Sequence, residues 1–166
     1  MGLLFLLLLV EARGWDVIPD PVGWALIAYG VRRLPPQVGG QGALLYLAAV
    51  AGLVSLALWP ALPGDPLGDV DPSLQWAMNL PQLLFCTLLA WRLAGASPES
   101  TARSLLRVDA GMFAAAAVLP PIVFGGGVRA LEEPSYLIAG LALMTFIVLM
   151  FVYSGRDWAR ADEPAA

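Results

Sequence analysis

The chain reads as an all-α, polytopic membrane helix bundle, with about six transmembrane helices in three hairpins and both termini cytoplasmic. Three observations lead there. Of 166 residues, 59% are hydrophobic and only 13% are charged, against about 45–50% and about 25% in ordinary soluble domains. Mean hydropathy is +0.75. Apolar stretches close to the ~20 residues that cross ~30 Å of hydrocarbon recur between short polar segments.

Composition also removes whole classes of function. Nine arginines, no lysine and thirteen acids leave a net charge of −4, so no basic surface is offered to nucleic acid. A single cysteine excludes an internal disulfide framework and a thiolate zinc site. The absence of histidine excludes a His-based triad, a HExxH metal site and a haem His ligand. No cofactor, metal or enzymatic activity is expected.

The spans follow in order at about 2–16, 20–34, 42–62, 74–94, 105–124 and 135–153, forming one transmembrane domain over 1–166 with a polar tail at 156–166. The first is the least regular, because its apolar run is confined to residues 2–10. Residues 3–12 also have the outline of a signal peptide, but the run lacks a basic side chain ahead of it. A natural start upstream of Met1 is the alternative account of so short a first helix.

Arginine distribution orients the set. With the N-terminus inside, Arg32, Arg33, Arg92, Arg103, Arg107, Arg156 and Arg160, seven of nine, fall in inner segments. The outer loops hold Arg13 and Arg129 among eight acids. That asymmetry is the positive-inside pattern. Each outside-to-inside helix opens on an acid and a proline, at Asp20-Pro21, Asp71-Pro72 and Glu133-Pro134. An acid there suits the helix dipole, and proline at the first position loses no hydrogen bond. Capping explains the recurrence more simply than a duplicated hairpin.

Small residues predict three contact seams, since lipid gives helices no hydrophobic reason to associate. They are Ala48–Gly52–Ser55, Gly111–Ala115 and Gly23–Gly30. Trp15, Trp24, Trp59, Trp76, Trp91 and Trp158 fall near span ends, where amphipathic rings favour the headgroup region. Ser97-Pro98 is placed as the cap of the fifth span, followed by an ion-paired ridge of Glu99, Arg103 and Arg107.

The fourth span carries the one pattern suited to a ligand. Gln75, Asn79, Gln82 and Cys86 project at about 0°, 40°, −20° and 20° around the helix, a single narrow stripe. Pro81 lies opposite and should kink the helix. Polar groups facing lipid are costly, so the stripe should face the bundle interior or a wet cavity. Hydrogen bonding between helices is the simpler reading of the same amides. Cys86 is expected to be a buried, inert thiol. Asp109, inside the fifth span, is expected to pair with Arg32, Arg33 or Arg92. Asp65, Asp69 and Asp71 lack the glycine and distal Glu of a calcium loop, and Gly125-Gly126-Gly127 has no GK[ST] to make a phosphate loop.

Asp16, Pro19, Asp20, Gly23 and Trp24, with Gly30 and Leu34 at the end of the same helix, form a recognisable constellation. It resembles a group of small uncharacterised bacterial multi-pass membrane proteins, whose motif D-x-[LI]-P-D-x-x-G-[YW] opens the second helix. Pro21 departs from the bulky residue usual there. The resemblance covers about 20 residues and implies a bacterial plasma-membrane location without implying an activity. The expected role is an accessory or scaffold component, with the lipid bilayer, a homo-oligomer or a larger membrane protein as partners. One alternative is a small-solute or lipid transporter or channel using the stripe on the fourth span; a membrane-embedded enzyme is the second.

Overall fold

The computed structural model describes residues 11–12, 15–16, 20–58, 72–156 and 158. It opens on a short antiparallel ladder in which β1 (Glu11–Ala12) pairs with β2 (Trp15–Asp16), Glu11 opposite Asp16. This corrects the first helix expected over 2–16. The apolar run ends at Val10, and Glu11, Arg13, Gly14 and Asp16 give a helix there neither an apolar face nor good propensity. Residues 2–10 lie outside the described residues.

Among the described residues five α-helices follow, all-α apart from the ladder: α1 (Asp20–Arg32), α2 (Gln41–Leu58), α3 (Pro72–Ala96), α4 (Ser100–Pro120) and α5 (Glu132–Tyr153). They coincide with the second to sixth predicted spans. Among the described residues, two stretches are long and apolar enough to cross a membrane: Ser100–Gly125, of 26 residues, and Glu132–Tyr153, of 22. That is fewer than the six expected, for physical reasons that differ by helix. α1 has 13 residues, which rise only ~20 Å. α2 is apolar throughout but short. α3 has the length, at 25 residues, and is diluted by Gln75, Asn79, Gln82 and Arg92.

Helix ends obey local chemistry. α1 takes Pro21 in its first turn and α3 begins at Pro72, positions where proline sacrifices no hydrogen bond. Ser97 closes α3 rather than capping α4, its amide donating to the Leu93 carbonyl at 2.9 Å. Glu99 is the residue at the α4 N-cap. Between α1 and α2 the chain turns through Gly39 and Gly40, at φ 64° and 69°, a region that favours glycine. The Arg92 guanidinium rests there, and a Cβ on Gly40 would lie 3.0 Å from its Nε.

Neighbouring helices pack in chain order, α1 on α2, α2 on α3, α3 on α4 and α4 on α5. Their buried faces repeat at three- and four-residue spacing: Leu44, Ala48 and Ala51 on α2, Phe85, Leu89 and Leu93 on α3, Leu106, Ala110 and Phe113 on α4. Trp24 is 3% exposed and meets Phe85 edge to face, with ring centroids 5.5 Å apart. It is therefore a core anchor and not an interfacial residue as expected. Gly52 makes room for it, since a Cβ there would stand 3.2 Å from the Trp24 Cβ. The Ala48–Gly52 seam thus holds α2 against α1. Gly30 and Gly111 are exposed with no neighbour within 4 Å of a Cβ position, whereas Gly23 is buried, so neither Gly30 nor Gly111 makes such a contact among the described residues. Trp24→Ala should cost about 3–5 kcal/mol, read as a lower unfolding midpoint in detergent; an unchanged midpoint would remove Trp24 from the core.

Candidate functional site

Proline builds the site. α4 ends at Pro120, and Pro121 opens a π-type turn, Pro121–Gly125, whose closing bond runs from the Gly126 amide to the Pro121 carbonyl at 3.2 Å. A Cβ on Gly126 would sit 2.5 Å from the Ile122 carbonyl oxygen, so the turn requires glycine. Pro121 has no N–H for the Ala117 carbonyl four residues earlier. Trp76 supplies the missing donor, its indole Nε1 reaching that oxygen at 3.0 Å. This bond ties α3 to α4 where α4 stops being regular.

Beside it, α3, α4, the turn and α5 enclose an open cavity of about 340 Å³. Asn79, Gln82 and Leu83 form its α3 wall, and Phe113, Ala116 and Pro120 its α4 wall. Val123 and Phe124 of the turn close one side. α5 contributes Glu132, Ser135 and Tyr136 at the end near the loop, then Ala139, Gly140 and Leu143 deeper in. The Ser135 hydroxyl is already committed, donating to the Leu131 carbonyl at 2.6 Å. At the deep end Phe113 meets Phe146 edge to face with centroids 5.5 Å apart, which shuts the floor.

The predicted stripe divides at that floor. Asn79 and Gln82 line the cavity, whereas Cys86, one turn further along α3, is fully buried in the helical core. The side chain of Gln75 lies outside the described residues, as do Pro19 and the segment carrying Asp65, Asp69 and Asp71. Of the remaining motif residues, Asp16 pairs in the ladder, Asp20 opens α1, and Gly23 and Trp24 are buried. Neither Gly23 nor Trp24 lines the cavity. Sequence reading missed Trp76 and Glu132 as site residues; the orphan carbonyl implied by Pro121 was the available signal for the first.

Asp109 departs most from expectation. It sits in the tenth position of the 26-residue stretch Ser100–Gly125, on the face that also presents Leu106, Phe113 and Ala116 to the interior. It is 0% exposed, and neither carboxyl oxygen has a hydrogen-bond partner among the described residues. The expected arginine pairing is not made. Arg33 lies over the Tyr29 ring, 4.5 Å from its centroid, and Arg92 covers Gly40; Arg32, at the end of α1, is exposed. The predicted ridge is also undone. Glu99 pairs with Arg156 at 3.7 Å, Arg103 donates to the Ser97 carbonyl at 2.9 Å, and Arg107 lies over Trp91. Each charge has a partner other than the one a helical wheel assigns it.

Comparison with protein-family models, curated proteins and solved structures finds no match to the chain. Two outcomes test the geometry. Trp76→Phe keeps the ring but strands the Ala117 carbonyl, and should destabilise by about 1–3 kcal/mol in a denaturant melt. Asp109→Ala removes an unpaired buried carboxyl and should stabilise by about 1–3 kcal/mol; a fall in melting temperature would reveal a partner for Asp109 in the folded protein.

Proposed function

We propose that the chain is a multi-pass integral membrane protein that binds a small amphipathic solute or lipid in the cavity between α3, α4 and α5. The observation that carries the reading is the cavity itself: two amides and a carboxylate are set among apolar and aromatic walls, the composition of a small-molecule site. Embedding in a bilayer accounts for the outer surface. Leu137, Leu141, Met144 and Val148 form an exposed apolar stripe along α5, and Tyr46, Leu53 and Leu56 are exposed on α2. Water would penalise such a surface and lipid would not.

In this reading α1 to α5 cross the bilayer, with the end of α5 cytoplasmic and the Glu132 end of the cavity outside, in agreement with the arginines at 32, 33, 92, 103, 107 and 156. α1 and α2 reach across in company with their neighbours, by tilt or local thinning. The likeness of Asp16–Trp24 to small bacterial membrane proteins supports a bacterial plasma-membrane setting. No enzymatic role is proposed.

Scaffolding is the second reading, and one observation favours it. Gly111 lies on an exposed face of α4 with open space beside it, where a helix from another chain could approach closely. Native mass spectrometry of gently extracted protein separates the two. Cavity binding predicts a bound small molecule that is lost in Gln82→Leu and in Gly140→Leu while the melting temperatures stay within a few degrees. A stoichiometric foreign chain, lost in Gly111→Leu and unaccompanied by a small molecule, would replace this reading with the scaffold.

A further inference from the structure

The chemistry of the cavity wall selects among ligands. Trp76, Phe113, Phe124 and Tyr136 place four aromatic rings around the space. Glu132 adds a carboxylate near the loop, and none of the described lining side chains is basic. The arginines that follow or precede the α3 and α4 walls are engaged elsewhere, Arg92 on Gly40, Arg103 on the Ser97 carbonyl and Arg107 over Trp91; the side chain of Arg129, three residues before Glu132, lies outside the described residues. An anionic ligand would thus meet a carboxylate and, among the described lining residues, no countercharge. A neutral one would cover Glu132 without giving it a partner. A cation with apolar substituents satisfies both the carboxylate and the ring faces, the arrangement by which aromatic cages hold quaternary ammonium groups.

Glu132 has a simpler duty, since an acid in the first turn of α5 complements the helix dipole. Glu133 performs the same duty while exposed to the surroundings. The dipole therefore explains an acid in this turn, but not why one of the two lines the cavity. A second carboxyl lies beyond the floor. Asp109 precedes Phe113 by one turn on the same buried face, about 6 Å further along α4, and its oxygens are unpartnered. An uncompensated acid inside an apolar bundle is expensive to keep, and a cation resting against Phe113 would give it a use.

We propose, resting on the cavity reading above, that the ligand is an organic cation with apolar substituents. Glu132 is its counter-ion, the aromatic rings are its cage, and Asp109 is a second carboxyl toward which its charge is drawn. The volume of about 340 Å³ admits a trimethylammonium group together with one aromatic ring.

The test uses the full chain in nanodiscs of uncharged lipid. Binding of benzyltrimethylammonium is compared with that of neopentylbenzene, its uncharged carbon isostere, and phenylmethanesulfonate, an anion of similar size. The cation should bind saturably and at least about tenfold more tightly than either analogue. Glu132→Gln should weaken it about tenfold and Asp109→Asn several-fold, with the isostere unaffected. Glu133→Gln, which removes the same formal charge one residue away, should change it less than about twofold. Gly140→Leu should block every probe that uses the cavity; a Cβ there meets nothing within 4 Å, and an unchanged melting temperature checks that the fold is kept.

Equal binding of the isostere or the anion, still blocked by Gly140→Leu, would overturn the cationic ligand and leave the cavity as a binding site. Cation binding indifferent to Gly140→Leu would overturn both. Weakening in Glu132→Gln alone would strip Asp109 of its part.

Discussion

The carbonyl of Ala117 lies four residues before Pro121, which has no amide hydrogen to offer it, and the indole of Trp76 stands in at 3.0 Å. Much of the site depends on that substitution. Two consecutive prolines end the regular part of α4, the next residues relax into a wider turn, and the chain reaches α5 displaced from the line α4 would have followed. Space opens between α4 and α5 where close packing would otherwise close it. The bond from Trp76 holds α3 at the edge of this space, so that Asn79 and Gln82 face into it. A backbone defect, repaired by a side chain from another helix, thus becomes the frame of a cavity.

Packing at the other end of the bundle works by opposite means. Trp24 fills the space between α1, α2 and α3, with Gly52 beneath it and Phe85 at its edge. Small residues there serve a large one. Around the cavity, Phe113 and Phe146 do the filling only at the floor, and above them the helices remain apart.

Helix positions were legible in the sequence because apolar run length and proline position are local properties. Helices α1 to α5 lie over five of the predicted segments, with ends moved by no more than five residues where the structure describes them. The first predicted span does not extend through Glu11–Ala12 and Trp15–Asp16, which form a ladder past the end of the nine-residue apolar run. Partner choice was less legible. Asp109 was assigned an arginine because arginines occur at a similar depth, yet Arg33 and Arg92 each had an aromatic face or a glycine turn within reach on their own side of the bundle. The polar stripe divides for a related reason. A helical wheel gives direction but not depth, and direction alone could not show that Cys86 falls below the ring pair that ends the cavity. Trp24 was misplaced because its nearness to a helix end says nothing of what packs beside it.

The far end of α5 is held differently from the end beside the cavity. Trp158 lies against Tyr153 with centroids 5.7 Å apart and donates its indole N–H to Glu99 at 3.4 Å, while Arg156 reaches the same carboxylate. These contacts fasten the last turn of α5 to the junction of α3 and α4. Toward Glu132 the helix instead borders open space. α5 is therefore anchored at its Tyr153 end, some twenty residues and about 30 Å of helix from the cavity mouth, so the aromatic and ionic contacts that fix its course are not the ones that line the cavity.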